Sequence, residues 1–176
     1  MRRYEILPHT ADGKFRAYGR SLEEAFVNAA LATASLMWDW SRIEPRLEIP
    51  VDIRAQDREQ LLVKFLGEIV YLLDTRRFLL GGVEDLKIEA AVSVPVRDPL
   101  GEADVPPFAA NRDPDARLRL TARFLGDSLS DRSEVYGAVK AATYNEMKIE
   151  RCDCSADAGG PDGAPPGYVV QVVVDM

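Results

Sequence analysis

Histidine is nearly absent from this chain: among 176 residues only His9 occurs, which excludes a zinc site built from several imidazoles. A serine triad would have to use the same residue, and nothing around it supports one. Cysteine is almost as scarce. Cys152 and Cys154 lie too close for an ordinary bridge and are too few for a disulfide framework. They also leave a four-ligand metal site incomplete, and in a Gly/Pro-rich acidic stretch they read as surface thiols. No P-loop, dinucleotide fingerprint or nucleophile elbow is present. The most apolar helical stretch, "LLVKFLGEIVYLL", is interrupted by Lys64 and Glu68, so no membrane span is predicted. "MRRYEILPHTADG" lacks the apolar core of a signal peptide, and the expectation is a soluble, cytoplasmic protein. Basic charge is in deficit, with 22 Lys and Arg against 29 Asp and Glu and a net charge of −7. That balance argues against a broad phosphate-gripping face and favours basic partners.

What is present suits one folded domain spanning 1–176, with 47% hydrophobic residues to build a core. "KFRAY" alternates polar and apolar residues as a half-exposed strand does. Ser21 followed by Glu24 is a capping box, and Leu22, Ala25, Phe26, Ala29, Thr33 and Leu36 recur at helical spacing behind it. "RLEIPVDI" has period two, and its Pro50 cannot donate to a ladder, which predicts an edge strand. A second helix is predicted from Asp57, with an apolar face of Leu61, Leu62, Phe65, Leu66, Ile69, Leu72 and Leu73. Alternation at Leu86, Ile88, Ala90, Val92, Val94 and Val96 predicts another strand, as does "RLRLTARFL" at 117–125. A short helix is expected over 133–144, then strands near 146–151 and 168–174. The stretches 97–117 and 151–167 are rich in Pro, Gly and Asp and read as long connections between strands. The fold class expected is α+β, with helices packed on a largely antiparallel or mixed sheet.

Few residues advertise chemistry. Trp38 and Trp40 at the end of the first helix read as covers for the helix–sheet junction; exposed, they would instead mark a binding hot spot. Asp12 before Gly13 reads as a turn residue, and Asp175 as the polar end of a valine-rich strand. Together with the terminal carboxyl they have another use, because hard divalent cations take oxygen ligands. Composition and spacing do not say whether residues 12 and 175 meet.

Four segments, in order, resemble the archease family: "HTADGKFRAYGRSLEEAFVNAA", "LTARFLGDSLS", "VKAATYNEMKIE" and "VVQVVVDM". The resemblance implies a small accessory protein of the RNA-splicing ligase that joins tRNA halves. Such a protein promotes guanylylation of the ligase histidine from GTP and so allows repeated turnover. It implies a divalent cation (Ca²⁺, Mg²⁺ or Mn²⁺) held by Asp12, Asp175 and a main-chain or terminal oxygen of Met176. Lys140 matches the family lysine, and His9 is expected to orient Asp12 or touch the site. The chain departs from the family pattern at Asn145, where a histidine is usual, and at Asp127, where Gly-Glu becomes Gly-Asp. Asparagine does not titrate near neutrality, so no proton shuttle is expected at that position. Nucleotide and RNA are expected to be reached only through the ligase, and an extension after Met176 is expected to impair the site. The competing readings are a stand-alone metal-dependent hydrolase using the same carboxylates and a chaperone-like binder using exposed tryptophans.

Overall fold

Ser21 starts the first helix, α1 (Leu22–Ser35), by accepting the Glu24 amide at 3.1 Å. Asp57 does the same for α2 (Arg58–Arg76), taking the Gln60 amide at 2.7 Å while the Gln60 side chain takes the Gln56 amide at 2.9 Å. The computed structural model describes residues 2–91, 115–152 and 167–176. Around these helices stand two antiparallel sheets. The four-stranded sheet has the order β1-β2-β7-β6, from Tyr4–Leu7, Gly13–Gly19, Gly167–Asp175 and Ala141–Cys152. The three-stranded sheet has the order β3-β5-β4, from Leu47–Ala55, Leu118–Ser128 and Phe78–Ala90. β3 is an edge strand, as its proline requires. The architecture is α+β, with all strand pairings antiparallel.

The helices lie between the sheets. α1 packs on β2 and β7 on one side and on β4 on the other, while α2 packs on β6 and on β3, β4 and β5. This placement explains why α1 is buried nearly all round, with Ala29, Ala30, Leu31, Ala32, Thr33 and Ala34 all within the buried class. Its small alanines let both sheets approach closely. Phe26, Phe65 and Phe124 join the layers, with ring centroids 6.1 Å apart for the first pair and 5.5 Å for the second. Each such ring is worth roughly 1.5–3 kcal/mol on burial, and each ring pair about 0.5–1.5 kcal/mol more.

Three expectations change. No helix forms over 133–144. Val135 instead makes a bridge with Trp38, the Tyr136 amide donates to Met37 O at 2.9 Å, and β6 already begins at Ala141. The main chain after α1 therefore claims this segment, and its partners outweigh the alanines that suggested a helix. β4 starts at Phe78, eight residues before the alternation, because Arg77 turns out of α2 at φ 52° straight into the strand. β1, only four residues long, precedes the strand that the pattern showed. Val92, Val94, Val96 and most of the two long connections lie outside the described residues, as does Cys154; Cys152 is half-buried at the end of β6, opposite Gly167.

Candidate functional site

The central position of β7 creates the site. Its end is flanked by the start of β2 on one side and the start of β6 on the other. Gly13 stands opposite Val174 where that ladder ends, with Asp12 the residue before Gly13 and Asp175 the residue after Val174. On the far side Ala141 stands opposite Asp175, and the Lys140 amide donates to Asp175 O at 2.7 Å. Asp12, Lys140, Asp175 and Met176 thus come to one end of one sheet, although the sequence places them at opposite ends and in between. Asp175 and Lys140 are exposed and Asp12 is half-buried.

Gly13 makes this approach possible. A Cβ there would lie 2.8 Å from Val174 Cγ2, 2.9 Å from Leu36 Cδ1 and 3.3 Å from Met176 Sδ. The Met176 side chain therefore turns back onto the core, away from the exposed Asp175. Before Gly13 the chain makes a tight turn, with the Asp12 amide donating to Thr10 O at 2.9 Å and Ala11 at φ 68°. A residue bearing a Cβ in that conformation costs roughly 1–2 kcal/mol.

The face of the sheet turned away from the helices carries a second group. Alternation puts Lys14 and Arg16 of β2 and Gln171 and Val173 of β7 on it. Yet Gln171 is only 5% exposed and Val173 1%. The cover is a bulge in β6: Thr143 pairs with Val173 and Lys148 with Gln171, so residues 144–147 stand against a single residue. Gln171 Nε2 donates to the bulge carbonyl of Glu146 at 3.0 Å, and its Oε1 accepts from Arg16 Nε at 3.0 Å. The Glu146 carboxylate binds Lys14 Nζ and lies 3.9 Å from His9 Nε2. The Lys14 hydrogen bond, then its charge, holds the Glu146 carboxyl below the usual carboxylate range. His9 Nδ1 is buried and has no hydrogen-bond partner. Asn145 is exposed on the same bulge.

His9 therefore faces Glu146. The sequence reading missed Lys14, Glu146 and Gln171; the visible signal is the one polar residue inside "VVQVVV", which needs partners wherever that strand is central. Trp38 is 1% exposed and its indole donates to Leu80 O at 2.9 Å, while half-buried Trp40 donates to Tyr4 OH at 2.9 Å. Both cover the junction, as expected. Gly126 is packed under Leu79 and Phe78, and the Asp127 carboxylate takes the Ser128 amide at 2.8 Å and lies 3.6 Å from Arg46. A cavity of about 320 Å³ opens there, between Trp38, Arg42, Arg46, Asp127 and Tyr136, and its lining includes none of His9, Asp12, Lys140 or Asp175. Among the described residues no three His, Cys, Asp or Glu side chains cluster as a metal site would need. No helix among them is long and apolar enough to cross a membrane.

The archease protein family matches residues 4–176. The chain is 33% identical to protein archease of Pyrobaculum neutrophilum over 150 residues, 84% of this chain and 86% of that one. It is 32% identical to protein archease of Pyrococcus furiosus over 177 residues, covering 100% of each. The solution structure of Methanobacterium thermoautotrophicum protein 1598 superposes with a TM-score of 0.65 at 30% identity, covering 100% of both chains. The chain belongs to the archease family.

Proposed function

We propose that this archease is an accessory protein of an RNA-splicing ligase, promoting GTP-dependent guanylylation of the ligase through a divalent cation at the end of β7. It performs no turnover itself and reaches nucleotide and RNA only through the ligase. The observation that supports the reading is the end of the β2–β7–β6 ladders, where Gly13 stands opposite Val174 and the Lys140 amide donates to Asp175 O. Two carboxylates brought close there would repel each other unless a cation or a cationic side chain lay between them. The donor set is oxygen throughout, which fits a hard cation of the Ca²⁺, Mg²⁺ or Mn²⁺ class. Asp12 and Asp175 would supply side-chain oxygens and Met176 a main-chain oxygen; the Asp175 carbonyl is already taken by Lys140. Such a cation, when bound, neutralises phosphate charge during nucleotidyl transfer. The chain's own part is to hold those oxygens on a rigid central strand and to present Lys140 beside them for polar contact with the partner. Its net charge of −7 suits a ligase with a basic, RNA-facing channel.

Burial of Trp38 and the bonded indole of Trp40 count against a chaperone-like surface. Separation of the cavity from the carboxylates counts against a hydrolase using both. The test is guanylylation of the ligase from GTP with and without this protein. Wild type is expected to stimulate, and Asp12→Ala or Asp175→Ala to lose most of that effect. Full stimulation by either variant sinks the cation mechanism, and no stimulation by wild type sinks the accessory role. Nucleotide hydrolysis by the purified protein alone would support the hydrolase reading.

A further inference from the structure

The turn from His9 to Lys14 carries Asp12 and is met by one side chain outside the proposed ligand set, which binds Lys14 and lies near His9. Glu146 divides its carboxylate oxygens: Oε2 binds Lys14 Nζ, while Oε1 faces His9 Nε2 at 3.9 Å. Its backbone is fixed independently, through the carbonyl that accepts from buried Gln171, which in turn is held by Arg16. Glu146 itself sits at φ 51°, a conformation that its surroundings must sustain. Ala11 at φ 68° makes the same demand on the turn. The sheet already pairs its flanks, Leu7 with Lys14 and Gly13 with Val174, and Glu146 adds a side-chain restraint from β6.

We infer that Glu146 is a positioning residue: by binding Lys14 and backing His9 from the β6 bulge, it steadies the turn that carries Asp12 to the end of β7. The inference rests on the reading of Asp12 as a cation ligand, but the staple itself is measurable in the protein alone. The Lys14 hydrogen bond and charge hold the Glu146 carboxyl below its usual range, and the contact with Lys14 is an ion pair. Glutamine keeps the length and one acceptor, whereas alanine removes the grip.

His9 is the one imidazole in the chain, so its ring nitrogen resonances are assigned without ambiguity. In cation-free protein, Glu146→Ala is expected to shift those resonances. It is also expected to speed hydrogen exchange at the Asp12 amide by about tenfold, with Val172 and Val174 amides unchanged. Titration with Ca²⁺ alone is expected to show about a tenfold weaker affinity, the usual scale for loss of a group that orients a ligand, with a smaller loss for Glu146→Gln. Unchanged His9 resonances and Asp12 exchange overturn the staple. A loosened turn with wild-type Ca²⁺ affinity overturns the positioning role. If wild type binds none of Ca²⁺, Mg²⁺ and Mn²⁺, the cation reading and the positioning role built on it both fail, while the exchange data still decide the staple.

Discussion

Gly13→Ala tests the packing that brings Asp12 to β7. The added methyl would lie 2.8 Å from Val174 Cγ2 and 2.9 Å from Leu36 Cδ1, about 1 Å inside the ordinary separation of apolar carbons. Val174 is fully buried and β-branched, so it cannot swing aside; β2 or the end of β7 must shift. Overpacking of this kind costs about 1–3 kcal/mol. At roughly 2–4 °C per kcal/mol for a chain of this size, the melting temperature should fall by about 2–12 °C. The same shift moves Met176, whose Sδ is the third contact at 3.3 Å, and so Ca²⁺ affinity should fall too. Gly67→Ala is the matched control: Gly67 lies inside α2 with nothing within 4 Å of an added Cβ. There the helix gains about 0.5–1 kcal/mol, and melting should rise by about 1–4 °C. Thermal unfolding followed by circular dichroism reads both. A Gly13→Ala protein that melts within about 1 °C of wild type and binds Ca²⁺ unchanged would refute the reasoning.

Burial pushes the Glu68 carboxyl above its ordinary value, opposed only by Arg76. A raised folded value means that the favourable contribution is complete below the unfolded value and is lost as pH rises through the folded one. Glu68→Gln should therefore raise the melting temperature at pH 7 but not below about pH 4, where both states are protonated; an equal gain at both pH values would exclude the titration as its cause. Phe65→Ala removes the ring shared by both aromatic pairs and should destabilise by about 3–5 kcal/mol in chemical unfolding. A cost below about 1 kcal/mol would mean that the site collapses freely. Trp38→Phe leaves the buried Leu80 carbonyl without its indole donor and should cost about 1–3 kcal/mol, measured in the same way.

Local signals were legible where local chemistry decides. Ser21 with Glu24, and Asp57 with Gln60, mark both helix starts because a cap needs residues three positions apart and nothing else. Pro50 marks an edge strand for the equally local reason that it has no N–H to give. Signals failed where a distant partner decides. The sequence predicts a helix over 133–144, yet Met37 and Trp38 take Val135 and Tyr136 as partners instead. α1 looked one-sided in sequence because alanine counts weakly in any hydrophobic pattern; only a second sheet shows that its other side is buried too. The two aspartates of the candidate site were visible as residues, but their placement at one end of one sheet depends on β7 lying between β2 and β6, which no spacing encodes.

The same distinction bears on Asn145, which the resemblance to the family sets against a histidine. On the sequence alone that difference reads as the loss of a titratable group. The register shows otherwise for this chain: the bulge at 144–147 leaves Asn145 exposed and turns the next residue, Glu146, onto His9 and Lys14. The group next to the Asp12 turn is thus a carboxylate paired with Lys14, and that pairing needs no imidazole at position 145. A four-residue bulge sets which of its side chains faces the sheet, so identity at one position says little until the backbone around it is known. Gln171 is the fixed point of that backbone, since a buried amide between two strands must bond on both sides or forfeit roughly 1–3 kcal/mol. Its place in a run of valines therefore governs the geometry of the site more than the residue that departs from the family pattern.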